Sequence, residues 1–188
     1  MKYFALHKPY GVLSQFTGPE GKKTLAGIYN FPENVYPVGR LDMDSEGLLL
    51  LTDDKSLTEY LLNPENRHER EYYVEVEGIP TEEELKKLES GVIIEGKLTL
   101  PAKVKLLTDV KIEAREVAIR FRKNVPDSWI SLTLIEGRNR QVRKMTANIR
   151  YPTLRLIRVR IKNIVLGDMK PGQVRELSNS EVKELKGL

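Results

Sequence analysis

Residues 38–54 read VGRLDMDSEGLLLLTDD, and this stretch concentrates the groups that could do chemistry. Asp42, Asp44, Glu46, Asp53 and Asp54 supply carboxylates, and Arg40 places a cation two residues before the first of them. An ionised carboxylate can serve as nucleophile, base or metal ligand, and a nearby guanidinium favours its charged form. Type and spacing alone allow three readings. Asp42, Asp44, Glu46, Gly47 and Asp53 approximate a calcium loop of the EF-hand kind. However, Pro32, Pro37 and Gly39 stand where that loop needs an entering helix, and four consecutive leucines do not belong inside it. The Asp-x-Asp of 42 and 44 mimics an aspartyl phosphotransferase, with magnesium beside a phosphate-accepting Asp42, but there the apolar strand precedes the acids and here it follows them. The plainest alternative is a solvated acidic turn in which Asp42 pairs with Arg40.

Leu48 to Leu51 fit a strand covered on both faces, which would hold the preceding acidic loop rigidly at a strand end. The other elements follow from period and punctuation. Residues 2–6 (KYFAL) read as a strand, followed by a loop through Gly11, Gly18, Pro19 and Gly21. A short helix is expected over 56–62, capped by Asp54 and stopped by Asn63-Pro64. YYVEVE at 72–77 alternates as a half-buried strand does. Thr81 and Glu84 form a capping-box pattern ahead of a helix that Gly91 ends. Strands are expected over 103–107, 116–121 and 129–135 in antiparallel succession, then an amphipathic helix over 138–149 carrying Val142, Met145 and Ile149 on one face. In IRVRIKN, Arg158, Arg160 and Lys162 alternate with Val159 and Ile161, which predicts a cationic strand face over an aliphatic one. Ser178 and Glu181 form a second capping box before a last helix. The succession is α+β.

Composition removes several function classes. With no cysteine there is no disulfide, redox motif or thiolate metal site, and only His7 and His68 remain as imidazoles, expected as loop residues or RNA contacts. The first residues hold no signal-peptide core and no run approaches the length of a membrane span, so a cytoplasmic protein is expected. Net charge is only +4, but residues 137–163 carry nine Lys and Arg and no acid, leaving the rest of the chain at −5. Such concentration points to a polyanion partner, because phosphate neutralisation with counterion release dominates nucleic-acid affinity. The bland reading is a solvated basic face.

The string GRLDMDSEGLLLLTDD resembles the catalytic motif of the bacterial ribosomal RNA pseudouridine synthases, in the branch holding small subunit synthase A and large subunit synthases B, E and F. HKPYGVLSQ (7–15) resembles the family's opening motif, REYYVEVEG (70–78) its tyrosine strand, EGRNRQVRKM (136–145) its basic motif and LGDMKPGQVRELSNSE (166–181) its usual ending, all in the family's order. The resemblance spans essentially the whole chain. It implies the pseudouridine synthase catalytic fold: a mixed, mostly antiparallel sheet flanked by helices, as one catalytic domain over 1–188 or as two lobes around a cleft. With the opening motif at residue 7, no S4-type RNA-binding domain of the kind many relatives carry is expected; this and the RNRQVRKM spelling are most similar to the synthase E subfamily.

By the same resemblance Asp42 is the catalytic carboxylate, Tyr72 the aromatic that packs on the target base, and Arg143 the cation that pairs with Asp42, with Arg138 and Arg140 as competitors for that role. Arg40, Arg138, Arg140, Lys144, Arg158 and Arg160 are the expected RNA contacts. Arg70 stands where Lys is common and Lys55 where Gly often follows the acidic pair, both peripheral to the chemistry. The implied reaction is isomerisation of a uridine flipped out of its stack, by a monomer, with no cofactor and no metal. The implied partner is 23S ribosomal RNA or a large-subunit assembly intermediate, with no membrane involved. The alternative is a non-catalytic RNA-binding or ribosome-assembly factor on the same fold.

Overall fold

In the computed structural model, which describes residues 1–115, 117–119 and 124–188, the chain opens with strands β1 (Tyr3–Lys8), β2 (Val12–Leu13), β3 (Lys23–Thr24), β4 (Tyr36–Pro37) and β5 (Glu46–Thr52). Helix α1 (Lys55–Leu62), β6 (Arg70–Glu77), α2 (Glu82–Ser90), β7 (Ile93–Ile94), β8 (Lys97–Leu98), β9 (Lys103–Leu107) and β10 (Asp127–Leu134) follow. The chain ends with α3 (Gln141–Asn148), β11 (Thr153–Ile161), β12 (Ile164–Val165), β13 (Val174–Glu176) and α4 (Asn179–Lys186). Of the strand expected over 116–121, residues 116, 120 and 121 lie outside the described residues, and 117–119 take no strand conformation. Two compact units result, Met1–His68 with Arg158–Leu188, and Glu69–Ile157.

The first unit is built on β5. All seven of its residues are buried, which is why four consecutive leucines suit it: neither face meets water. Burying each leucine contributes roughly 1.5–3 kcal/mol, so the run anchors whatever loop precedes it. β1 pairs antiparallel with β5 from Tyr3↔Thr52 to Lys8↔Gly47, and β13 pairs antiparallel with β1. β4 adds a two-residue antiparallel ladder at the far end of β5. Helix α1 starts where Asp54 accepts the Leu57 amide and buries Leu57 and Leu61, one turn apart. Helix α4 opens on the Ser178–Glu181 capping box.

In the second unit β10 lies between β6 and β9, antiparallel to both. Val74, Val76, Ile130 and Leu132 from the sheet, Leu88 from α2, and Val142, Met145 and Ile149 from α3 make one apolar core. Helix α2 has the expected Thr81–Glu84 capping box. Helix α3 departs from expectation: it starts at Gln141 instead of 138, because Arg140 takes a left-handed conformation with φ 50° and breaks the helical path. Among the described residues no helix is long and apolar enough to cross a membrane.

Candidate active site

Asp42 sits in a tight turn between β4 and β5, so strands rather than helices flank the acidic loop, unlike an EF-hand. The turn is tied down at several points. The Asp42 main-chain carbonyl accepts the Ser45 amide at 3.0 Å, the Met43 carbonyl accepts the Gly11 amide at 2.8 Å, and the Ser14 hydroxyl both donates to the Leu41 carbonyl and accepts the Leu41 amide. Asp42 is half-buried, so the turn is fixed through its main chain while the residue stays within reach of solvent. The Arg40 guanidinium is exposed and donates to the Gln15 side chain at 3.1 Å.

Beneath this turn lie two buried cations. Lys8, with no exposed surface, donates from Nζ to the carbonyls of Pro9 at 3.0 Å and Val12 at 2.7 Å. Burial pulls its pKa down to about 8, while Glu46, Asp44 and Asp42 push it back up and Arg158 adds to the depression. Lys8 therefore shares one electrostatic neighbourhood with three acidic-loop carboxylates and with Arg158. Arg158 is only 5% exposed and donates from Nε to the Leu48 carbonyl at 2.8 Å, leaving Nη2 buried without a hydrogen-bond partner. The expected cationic strand face is thus corrected: Arg160 and Lys162 are half-buried, whereas Arg158 faces inward against the start of β5 and cannot offer a solvated contact. The histidine expectation is corrected for His7, which lies on a strand, whereas His68 does sit in the loop before β6. His7 is buried on β1 with Nδ1 on the Met169 carbonyl, and His68 is buried with Nε2 on the Tyr60 carbonyl.

The second unit carries the other expected residues. Tyr72 stands opposite Leu132 in the β6–β10 ladder, half-buried and packed on the unit's core. Arg143 is half-buried on α3, and Arg140 is exposed just before the helix. Arg138 is committed within the chain: its guanidinium donates to Glu136 at 3.1 Å, to the Lys97 carbonyl at 3.3 Å and to the Leu98 carbonyl at 2.6 Å. Lys144 pairs with Glu95 at 2.6 Å. Gln141 completes the network by donating to Glu136 and accepting the Arg138 amide. Basic side chains before and on α3 thereby clamp the β7–β8 hairpin.

Comparison with known proteins decides what such a loop and basic helix belong to. The family model described as RNA pseudouridylate synthase matches residues 2–148. The chain belongs to the RNA pseudouridylate synthase family. Ribosomal large subunit pseudouridine synthase E of Vibrio parahaemolyticus serotype O3:K6 is 48% identical over 176 residues, covering 94% of this chain and 74% of the relative. The synthase E of Xanthomonas campestris pv. campestris is 47% identical, covering 90% and 92%. Synthase B of Bacillus subtilis is 40% identical, covering 99% and 72%. A solved structure described as a pseudouridylate synthase superposes with a TM-score of 0.82 at 28% identity, covering 98% of this chain and 73% of that one.

In this synthase the residue that sequence reasoning missed is Lys8. It lies inside HKPYGVLSQ, a string singled out as a motif, but a lysine read from sequence is assigned to solvent by default. Its burial follows from the β1–β5 ladder, which sets Lys8 opposite Gly47 and brings the opening motif under the acidic loop, a long-range pairing that no local pattern in the sequence announces.

Proposed function

We propose that the synthase converts one uridine of 23S ribosomal RNA to pseudouridine, with Asp42 as the nucleophile acting on a flipped-out nucleotide. The observation that carries this reading is the Asp42 turn: a reachable carboxylate on a rigid loop, with the buried cations Lys8 and Arg158 in the same electrostatic neighbourhood. Attack on C1′ or C6, or proton removal from the sugar, requires a carboxylate that the nucleotide can reach and that a rigid loop holds in place. The reaction exchanges the N1–C1′ bond for a C5–C1′ bond; C5 loses its proton and N1 gains one. Nothing is oxidised or reduced, so the reading includes no cofactor and no metal.

Tyr72 packs on the extruded base, and Arg143 pairs with the Asp42 carboxylate in the working enzyme. Arg40, Arg140 and Arg160 contact the RNA backbone, a role that positions the substrate without reading its sequence. Arg138 and Lys144 instead hold the hairpin beside the basic helix. The enzyme acts as a monomer in the cytoplasm, on free 23S rRNA or on a large-subunit assembly intermediate. Relatives named for the large subunit support that substrate.

The test is pseudouridine mapping of 23S rRNA from a deletion strain complemented with wild type or with Asp42→Asn. One site should depend on the wild type and stay unmodified with the variant. Full restoration by Asp42→Asn removes Asp42 from its role, and modification independent of the protein removes the 23S reading.

A further inference from the structure

Five aromatic side chains of the first unit form a continuous chain of ring contacts that the reaction does not use. Phe4, buried on β1, meets Phe31 at 5.5 Å and Tyr29 at 6.2 Å between ring centroids. Phe31 meets Tyr29 at 4.9 Å and Phe16 at 5.8 Å, and Phe16 meets Tyr36 at 6.3 Å. The chain runs from core to surface: Phe16 and Phe31 are half-buried, while Tyr29 is 45% exposed and Tyr36 63% exposed. A cluster serving only to close a loop would bury its largest members. Here the two rings at the ends stand in solvent on a rigid base.

The cluster is also joined to the acidic turn. Phe16 follows Gln15, whose side chain accepts from Arg40, and Gln15 and Phe16 supply carbonyls to the Leu25 amide and the Thr24 hydroxyl. Ser14, one residue earlier, holds Leu41 by both backbone groups. The aromatic cluster is thus linked to Arg40 through Phe16 and Gln15, while Tyr36 itself stands opposite Thr52, at the end of β5 away from the acidic turn. Its segment, residues 14–40, has exposed cations at Lys22, Lys23 and Arg40 against carboxylates at Glu20 and Glu33, so it does not repel a phosphate backbone.

We infer that Tyr36 and Tyr29, backed by Phe16 and Phe31, form a stacking platform for unpaired nucleobases flanking the target uridine. This rests on the reading of the chain as an enzyme of ribosomal RNA, and it adds a demand on substrate: the target lies in or beside a single-stranded stretch. Any base offers a π-face, so the platform supplies affinity and tolerates sequence, leaving selection to the pocket. Rings held by ring contacts lose little freedom on binding, which favours stacking over a mobile aromatic loop.

The test compares the affinity of the full chain for decauridylate with its affinity for an abasic ribose-phosphate decamer of equal charge, at fixed salt. Wild type should prefer decauridylate. Tyr36→Leu should weaken decauridylate binding about tenfold, the scale of one lost base stack, and leave the abasic decamer unaffected; Tyr36→Phe, which keeps the ring, should retain the preference. Tyr29→Leu provides a second variant should the first fail to fold. No preference in wild type, unchanged decauridylate binding in both Leu variants, or equal losses for both ligands would each overturn the platform. Pseudouridine formation in 23S rRNA by wild type, measured in parallel, separates the two ideas: stacking without isomerisation sinks the proposed function and leaves the platform, and isomerisation without stacking does the reverse.

Discussion

The backbone of Arg158 passes so close to Gly47 that a Cβ there would overlap the Arg158 carbonyl oxygen and lie 2.7 Å from its amide nitrogen. Both obstructing atoms are main chain and cannot swing aside. Gly47 also has φ 103°, a conformation that side chains resist. Gly47→Ala should therefore destabilise the protein by about 3 kcal/mol, combining backbone strain with steric displacement of β5 or the segment at Arg158. Urea unfolding checks this; a midpoint within error of wild type would show that the close approach relaxes without cost.

Lys8 gives the first unit a pH signature. Its folded pKa of about 8 lies below the ordinary lysine value of 10.5, chiefly through burial, so the unfolded chain binds the extra proton between those limits. Stability from this group is therefore complete above about 10.5 and is lost as pH falls through about 8, a span of about 3 kcal/mol at 1.36 kcal/mol per unit. In Lys8→Met that slope should vanish: the difference in unfolding free energy between variant and wild type should change steadily from pH 8 to pH 10.5 and level off below. A difference independent of pH would place the ammonium in contact with water.

The contrast between what sequence revealed and what it hid follows the range of each interaction. Asp54, Thr81 with Glu84, and Ser178 with Glu181 are read correctly because a cap is decided within three residues. The all-leucine strand is read correctly because nothing but two-sided burial suits it. Arg158 is misread because its environment is set by Leu48, 110 residues away, and alternation along a strand says which face a side chain takes but not what covers that face. The α3 start is misread for a different reason: Arg138 to Arg140 have helical composition, but Arg138 is drawn off to the hairpin carbonyls and Arg140 turns left-handed. Of the expected site, the Asp42 turn was legible; the cations beneath it were not.

Arg138 should behave as a clamp. Three acceptors within the chain hold its guanidinium, and removing it leaves the Lys97 and Leu98 carbonyls without that donor. Arg138→Met should speed amide hydrogen exchange in residues 93–98 by about tenfold, matching loss of roughly 1–2 kcal/mol of local hydrogen bonding. The slope of log affinity for RNA against log salt should stay at its wild-type value, whereas removing a cation that neutralises a phosphate would reduce its magnitude by about one. A shallower slope with unchanged exchange would return Arg138 to the RNA-contacting set.

Glu75 makes the opposite prediction in the second unit. Its carboxyl lies on β6, buried, where burial first and then the hydrogen bond and charge of Asp127 push its pKa up to about 7, against a partial pull downward from Arg155 and Arg115. Arg155 cannot neutralise it fully, since its guanidinium also donates to the Glu113 carbonyl. The unfolded chain releases this proton near 4.5, so the stability that the neutral carboxyl contributes is fully present below 4.5 and is lost as pH rises through about 7. Glu75→Gln keeps the shape and the neutral state at every pH. It should match wild type in urea midpoint at pH 4, exceed it at pH 6 and exceed it most at pH 8, with no further divergence above. A variant less stable than wild type at pH 8 would mean that the ionised carboxylate is held by Arg155 and Arg115, and that the cationic partners outweigh burial at this position.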